Sequence, residues 1–131
     1  MIFIGLLAMT AQTGPQSVPA FVPPVAGKGQ VIFFRRARHS DNIWDTCPVS
    51  EGDARILKLK GNRYVAMSVD PGTHRYSAKT EATDKLTLEV EAGERYFVEC
   101  GLTVGIAVGR PDLRPSSPEE FATYAKHLRP Q

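Results

Sequence analysis

The sequence predicts an antiparallel β-sandwich of about six to eight strands with a short C-terminal helix. Three observations carry that expectation. Polar and apolar residues alternate at a period of two through most of the chain after residue 30. Turn signals at Gly61-Asn62, Pro71-Gly72 and Gly93 punctuate the alternation. Helical spacing occurs in one place only, after Ser116-Ser117-Pro118-Glu119-Glu120.

At 131 residues the chain fits one domain, and its 10 Pro and 11 Gly are scattered, as suits turns between many short strands. Sixteen basic and fourteen acidic side chains give a net charge of +2 with the signs interspersed, so no nucleic-acid partner is expected. Residues 1–29 read as a weak or truncated export signal followed by a Pro-rich linker. The apolar run from Met1 to Met9 leads into small residues, but no Lys or Arg precedes it. The run is too short for a transmembrane span, which takes about 20 apolar residues. Pro15, Pro19, Pro23 and Pro24 remove amide donors and favour an extended tether, so removing residues before Gly27 is expected to leave stability nearly unchanged. The sandwich is assigned to 30–113, and the C-terminal helix and tail to 114–131.

Gln30 to Arg36 (QVIFFRR) is apolar on both faces, the mark of a strand covered on both sides. Ser40 to Gly52 reads as a loop holding Cys47 and Trp44, with a candidate short strand around 42–46; Trp44 is expected to plug the core. Asp53 to Lys60 is the next strand, and Gly61-Asn62 turns it into Arg63–Val69. Asp70-Pro71-Gly72 then closes a β-hairpin with Thr73 to Thr80, making a three-stranded meander. In that hairpin Val65, Met67 and Val69 share a face, as do His74, Tyr76 and Ala78. Lys85 to Glu91 (KLTLEVE) has the cleanest alternation, with Leu86, Leu88 and Val90 inward. Arg95 to Gly101 places Tyr96, Val98 and Cys100 on one face; Leu102 to Val108 continues as a further strand, and Arg110 to Leu113 leaves the sheet. In the helix Ser serves as N-cap, Pro118 takes the first position, and Phe121, Tyr124, Ala125 and Leu128 form a docking stripe.

The ordered blocks QVIFFRR, GNRYVAMSVDPGTHRYSAKTEAT, VEAGERYFVECG and GIAVGRPDL, spanning about Gln30 to Leu113, resemble the bacterial "domain of unknown function 2846" family. Pro-Gly turns of this kind also occur in PEGA-type and transthyretin-like sandwich modules. The resemblance implies a small β-sandwich that is exported to the periplasm or cell envelope, and it carries over no activity and no catalytic residues. Many members carry a lipoprotein signal, whereas here no Cys follows the apolar run.

No catalytic constellation is recognisable, so an enzyme is not expected. His39, His74 and His127 lie apart, without an HxH or HExxH spacing that would gather metal ligands, and GxSxG is absent. Gly101, Gly105 and Gly109 lack the GK[ST] of a phosphate loop. No cofactor or metal is therefore implied. His74 is expected to hydrogen-bond the adjoining turn or a neighbouring strand. Cys47 and Cys100, the only cysteines, are a candidate disulfide, the alternative being two separate buried thiols. Arg35, Arg36, Arg38 and His39 concentrate positive charge at a strand end and form a candidate surface for an anionic partner. The alternative there is a solvated strand end paired with acids such as Glu51 and Asp53. The function expected is a non-catalytic envelope module that binds a protein or glycan. A small ligand-binding protein or enzyme with a pocket near Arg35 to Trp44 is the second expectation.

Overall fold

The computed structural model describes residues 21–37, 46–103 and 109–131. Among these the strands are β1 (Gly29–Arg35), β2 (Cys47–Glu51), β3 (Ala54–Leu59), β4 (Arg63–Val69), β5 (Gly72–Lys79), β6 (Thr83–Val90), β7 (Arg95–Thr103), β8 (Arg110–Ser116) and β9 (Arg129–Pro130). One α-helix, α1 (Pro118–Tyr124), runs into a 3₁₀ turn at Ala125–His127. The strands form two sheets, ordered β8-β7-β1-β4-β9 and β3-β2-β5-β6. The protein is thus mainly β, a two-sheet sandwich with a short C-terminal helix. The four-stranded sheet is antiparallel throughout, while the five-stranded sheet is mixed, because β1 runs parallel to β7 and β4 parallel to β9.

β1 explains the layering. All seven of its residues are buried. Val31 and Phe33 enter the core between the sheets with Cys47, Val49, Leu59, Tyr76 and Val98. Ile32 and Phe34 face the other way, into a second core with Phe97, Phe121, Ala125 and Leu128. Each face needs its own cover, so α1 lies on the outer face of the five-stranded sheet. Ser117 caps α1 by accepting from the Glu120 amide at 3.1 Å, and Pro118 occupies the first turn. The expected stripe is the docked one: Phe121 is fully buried, edge to face with Phe34 at 5.1 Å and Tyr64 at 5.7 Å.

The expected meander is replaced by corners between sheets. β3 and β4 lie in different sheets, as do β4 and β5, and β6 and β7. The Pro71-Gly72 turn, with Gly72 at φ 128°, therefore carries the chain across the sandwich and closes no hairpin. The inward faces were assigned correctly, since Val65, Met67 and Val69 meet the same core as Tyr76 and Ala78. Alternation states which face is apolar. It is silent on whether the next strand lies beside or opposite.

Three further elements differ from expectation. Cys47–Glu51 is a strand and not a loop; Pro48 is accommodated because β2 pairs with β3 along its length but with β5 only from Val49 onward. Arg110–Ser116 stays in the sheet as β8, where Pro111 and Pro115 are tolerated because β8 is an edge strand. β7 runs on to Thr103, while most of the strand expected at 102–108, the strand expected at 42–46 and Trp44 lie outside the described residues.

The end of the Pro-rich segment is docked rather than free. The Phe21 ring packs against Tyr64, Phe97 and Phe121 at 5.5 to 6.0 Å. The Val22 carbonyl accepts from Gln30 Nε2 at 2.8 Å, and the Val25 amide donates to Ser68 Oγ at 3.3 Å. Truncation before Gly27 would strip Phe21 from the second core, so the expectation of unchanged stability does not hold.

Candidate functional site

The ring-lined second core ends in a polar cluster at the C-terminal end of β1. Arg36 follows Phe34 on the outer face of the sheet, and the next strand supplies Glu99 on the same face. Glu99 is 1% exposed, so its charge requires partners. Arg114 on β8 donates to Glu99 Oε1 through Nε at 3.0 Å and also through Nη2. Arg36 Nε lies 3.8 Å from Glu99 Oε2. The hydrogen bonds that Arg114 donates to Glu99, outweighing the desolvation that opposes them, raise the Arg114 pKa above its ordinary value. The Arg36 guanidinium carbon also sits 3.9 Å above the Tyr124 ring centroid, joining the cluster to the end of α1.

Beside this cluster opens a cavity of about 510 Å³ lined by Arg36, Ala37, Asn62, Tyr124, Lys126, His127, Leu128 and Arg129. Separate segments bring these residues together: Arg36 and Ala37 follow β1, Asn62 lies in the turn before β4, Tyr124 ends α1, Lys126 and His127 belong to the 3₁₀ turn, and Arg129 begins β9. Asn62 adopts φ 58°, its amide donates to the Arg35 carbonyl at 2.8 Å, and its Oδ1 accepts from the Ala37 amide at 3.0 Å. The preceding Gly61 is required by close approach, because a Cβ there would come 2.9 Å from Ala37 Cβ and 3.2 Å from Arg35 Nη1. No Asp or Glu is among the described lining residues, so the cavity wall is cationic.

The anion surface expected at 35–39 is therefore redrawn. Arg35 is fully buried and belongs to no surface. Arg36 reaches the cavity, and its acidic neighbour is Glu99 rather than Glu51 or Asp53. Arg38 and His39 lie outside the described residues. Lys126, His127 and Arg129 were not singled out from sequence as binding residues. Their signal was the basic run Lys126-His127-Leu128-Arg129 immediately after the helical stripe, which reads equally well as an exposed helix tail.

A second polar constellation fastens the Pro71-Gly72 corner. His74 Nδ1 lies 2.5 Å from Glu51 Oε1, and His74 Nε2 lies 2.6 Å from the Asp70 carbonyl, so this residue engages both the turn and a neighbouring strand. A carboxylate and a carbonyl both accept, so this geometry favours the protonated imidazole, whose two ring nitrogens both donate. Burial works to lower its pKa, but the Asp70 carbonyl and the Glu51 carboxylate outweigh it and raise the value above the ordinary one. His74 stacks on Tyr76 at 5.8 Å, and desolvation, with the Glu51 charge second, pushes the Tyr76 hydroxyl up to about 12.

Cys47 of β2 and Cys100 of β7 are joined in a disulfide with a Cα separation of 6.5 Å, tying the two sheets together through the core. Among the described residues, no helix is long and apolar enough to cross a membrane. No family model matches the chain, and no curated protein is similar enough to count as a relative.

Proposed function

We propose that this chain is a non-catalytic interaction module of the bacterial cell envelope that binds a carboxylate-bearing partner, an acidic protein face or an acidic glycan, at the cavity beside α1. The observation that carries the reading is the cationic wall formed by Arg36, Lys126 and Arg129 around about 510 Å³. Arg36 is held in place by Glu99 and the Tyr124 ring, so one guanidinium is oriented before a ligand arrives. Export to the envelope is supported by the core disulfide, a bond that persists in oxidising compartments, and by the family its motif order resembles.

The experiment compares retention of the protein and of its Lys126→Gln/Arg129→Gln variant on purified envelope fractions at low and moderate salt. Both side chains are solvent-facing, so the fold is untouched. The proposal expects weaker retention and a shallower salt dependence in the variant; equal retention at both salt concentrations refutes it. The second reading, a small-ligand protein, is favoured by the cavity volume, which falls in the range of small-molecule sites. Saturable binding of a soluble dicarboxylate, lost in the same variant, distinguishes it.

A further inference from the structure

Charges that alternate along the sequence are sorted in space by the sheet. Every second residue of a strand faces the same way, so one face can collect charges that the chain dilutes. The outer face of the four-stranded sheet does this. Its inner face gives Val49, Leu59, Tyr76, Ala78, Leu86 and Leu88 to the core between the sheets. The alternate residues point outward, and the register lays them in rows. Arg55 lies opposite Ser50, Ser50 opposite Ser77, and Ser77 opposite Lys85, one line across all four strands. Lys79 opposite Thr83 and Arg75 opposite Thr87 flank that line, and Lys58 stands opposite Pro48.

Arg55, Lys58, Arg75, Lys79 and Lys85 are all exposed. None of the five has an ion-pair partner among the described residues, because the acids of the same strands are engaged elsewhere. Glu51 meets His74, and Asp84 accepts from the Leu113 amide at 2.7 Å. Glu89, which does lie on this face, accepts from Thr73 Oγ1 at 2.7 Å. Asp53 stands at the rim, in the turn between β2 and β3. Five cations thus share a face with one carboxylate, in a chain whose net charge is only +2. With strands about 4.8 Å apart and alternate residues about 6.8 Å apart, they spread over a plane roughly 14 Å on a side.

We propose that this face binds the surface of an anionic phospholipid membrane, peripherally and by electrostatics. The sheet face is flat, and a bilayer surface is a flat array of negative charge whose headgroups move laterally to meet all five cations at once. Lys and Arg carry their charges on flexible stems that reach such a plane, and the hydroxyls of Ser50, Ser77, Thr83 and Thr87 between them donate to phosphate oxygens. No aromatic residue lies on this face of the described strands, so it offers bases and sugar rings nothing to stack on. The face is the side of the sandwich opposite α1. Bound to lipid, the domain turns its cationic cavity away from the membrane. The two sites are separate, and neither depends on the other.

The test is cosedimentation of the full chain with vesicles of phosphatidylglycerol and phosphatidylcholine mixed about 1:1, against vesicles of phosphatidylcholine alone. The expected result is binding to the anionic vesicles at about 50 mM salt, none to the neutral ones, and release at about 500 mM, where screening shortens the reach of each charge to a few ångströms. Lys79→Gln/Lys85→Gln is expected to weaken partitioning at least about tenfold with the melting temperature unchanged, and Arg55→Gln/Lys58→Gln, on the other half of the sheet, to do the same. Lys126→Gln/Arg129→Gln, on the far side of the sandwich, is expected to bind vesicles as the parent does. Failure to bind the anionic vesicles at low salt, or binding that survives in both face variants, overturns the proposal. A loss in Lys126→Gln/Arg129→Gln as large as in the face variants overturns it too. Tighter binding to duplex DNA than to vesicles, lost in the same face variants, also overturns it and assigns the face to nucleic acid.

Discussion

Reduction of the Cys47–Cys100 disulfide tests how the two sheets are held in register. The bond connects β2 in one sheet to β7 in the other, and both cysteines are fully buried in the shared core. The sequence separation of 53 residues sets the loop that the bond removes from the unfolded ensemble, which by the chain-entropy relation is worth about 4 kcal/mol. A domain of this size has about 5–15 kcal/mol of total stability, so the loss is a large share of it. With a urea m-value of about 1.5 kcal/mol per molar, the unfolding midpoint should fall by about 2.7 M. The assay is urea unfolding followed by tryptophan fluorescence, with and without dithiothreitol. Reduction keeps both sulfur atoms in the core, so it isolates the cross-link. Cys47→Ala/Cys100→Ala also removes two buried sulfurs and should lie lower still, giving the order oxidised, reduced, double alanine. Oxidised and reduced protein within about 1 kcal/mol of each other, or two titratable thiols in the unreduced, denatured protein, would refute the reasoning.

Phe121→Ala removes the ring on which Phe21, Phe34, Tyr64 and Phe97 converge and should cost about 4 kcal/mol by thermal or urea unfolding, releasing α1 from the sheet; a loss below about 1 kcal/mol would mean the helix is not docked. The His74 clamp predicts a pH dependence with a definite sign. Its folded pKa is raised, so the stabilisation is present in full below about pH 6.5 and is lost as the pH rises through the folded value. Melting temperature should therefore decline as the pH rises above about 6.5 in the parent protein, and His74→Gln should remove that part of the slope; parallel pH profiles for the two proteins would contradict it.

The features that the sequence made legible are those set by local chemistry. The two-faced apolar run of QVIFFRR identified a strand covered on both sides, and in the structure Val31 and Phe33 enter one core while Ile32 and Phe34 enter the other. Ser117-Pro118 and the Phe121, Ala125, Leu128 stripe located the helix and its docking face, and alternation assigned the inward residues of β4 to β7. The disulfide was a candidate because the chain has two cysteines, one of them on the inward face of a core strand, and reads as exported, but its geometry depends on two strands that are distant in the chain. Strand pairing was decided by tertiary structure. Pro71-Gly72 and Gly61-Asn62 permit a reversal of the chain equally well within a sheet or across a sandwich, and the core between the sheets chose the second. Pro48, Pro111 and Pro115 argued against strands until the fold placed them where no amide donor is needed. The cationic cavity was invisible for the same reason: Arg36, Asn62 and Lys126 belong to three separate segments, and a one-dimensional pattern carries no signal of their meeting. Local propensity and periodicity fix which face of an element seeks burial. Which neighbour buries it is set by the packing of the whole chain.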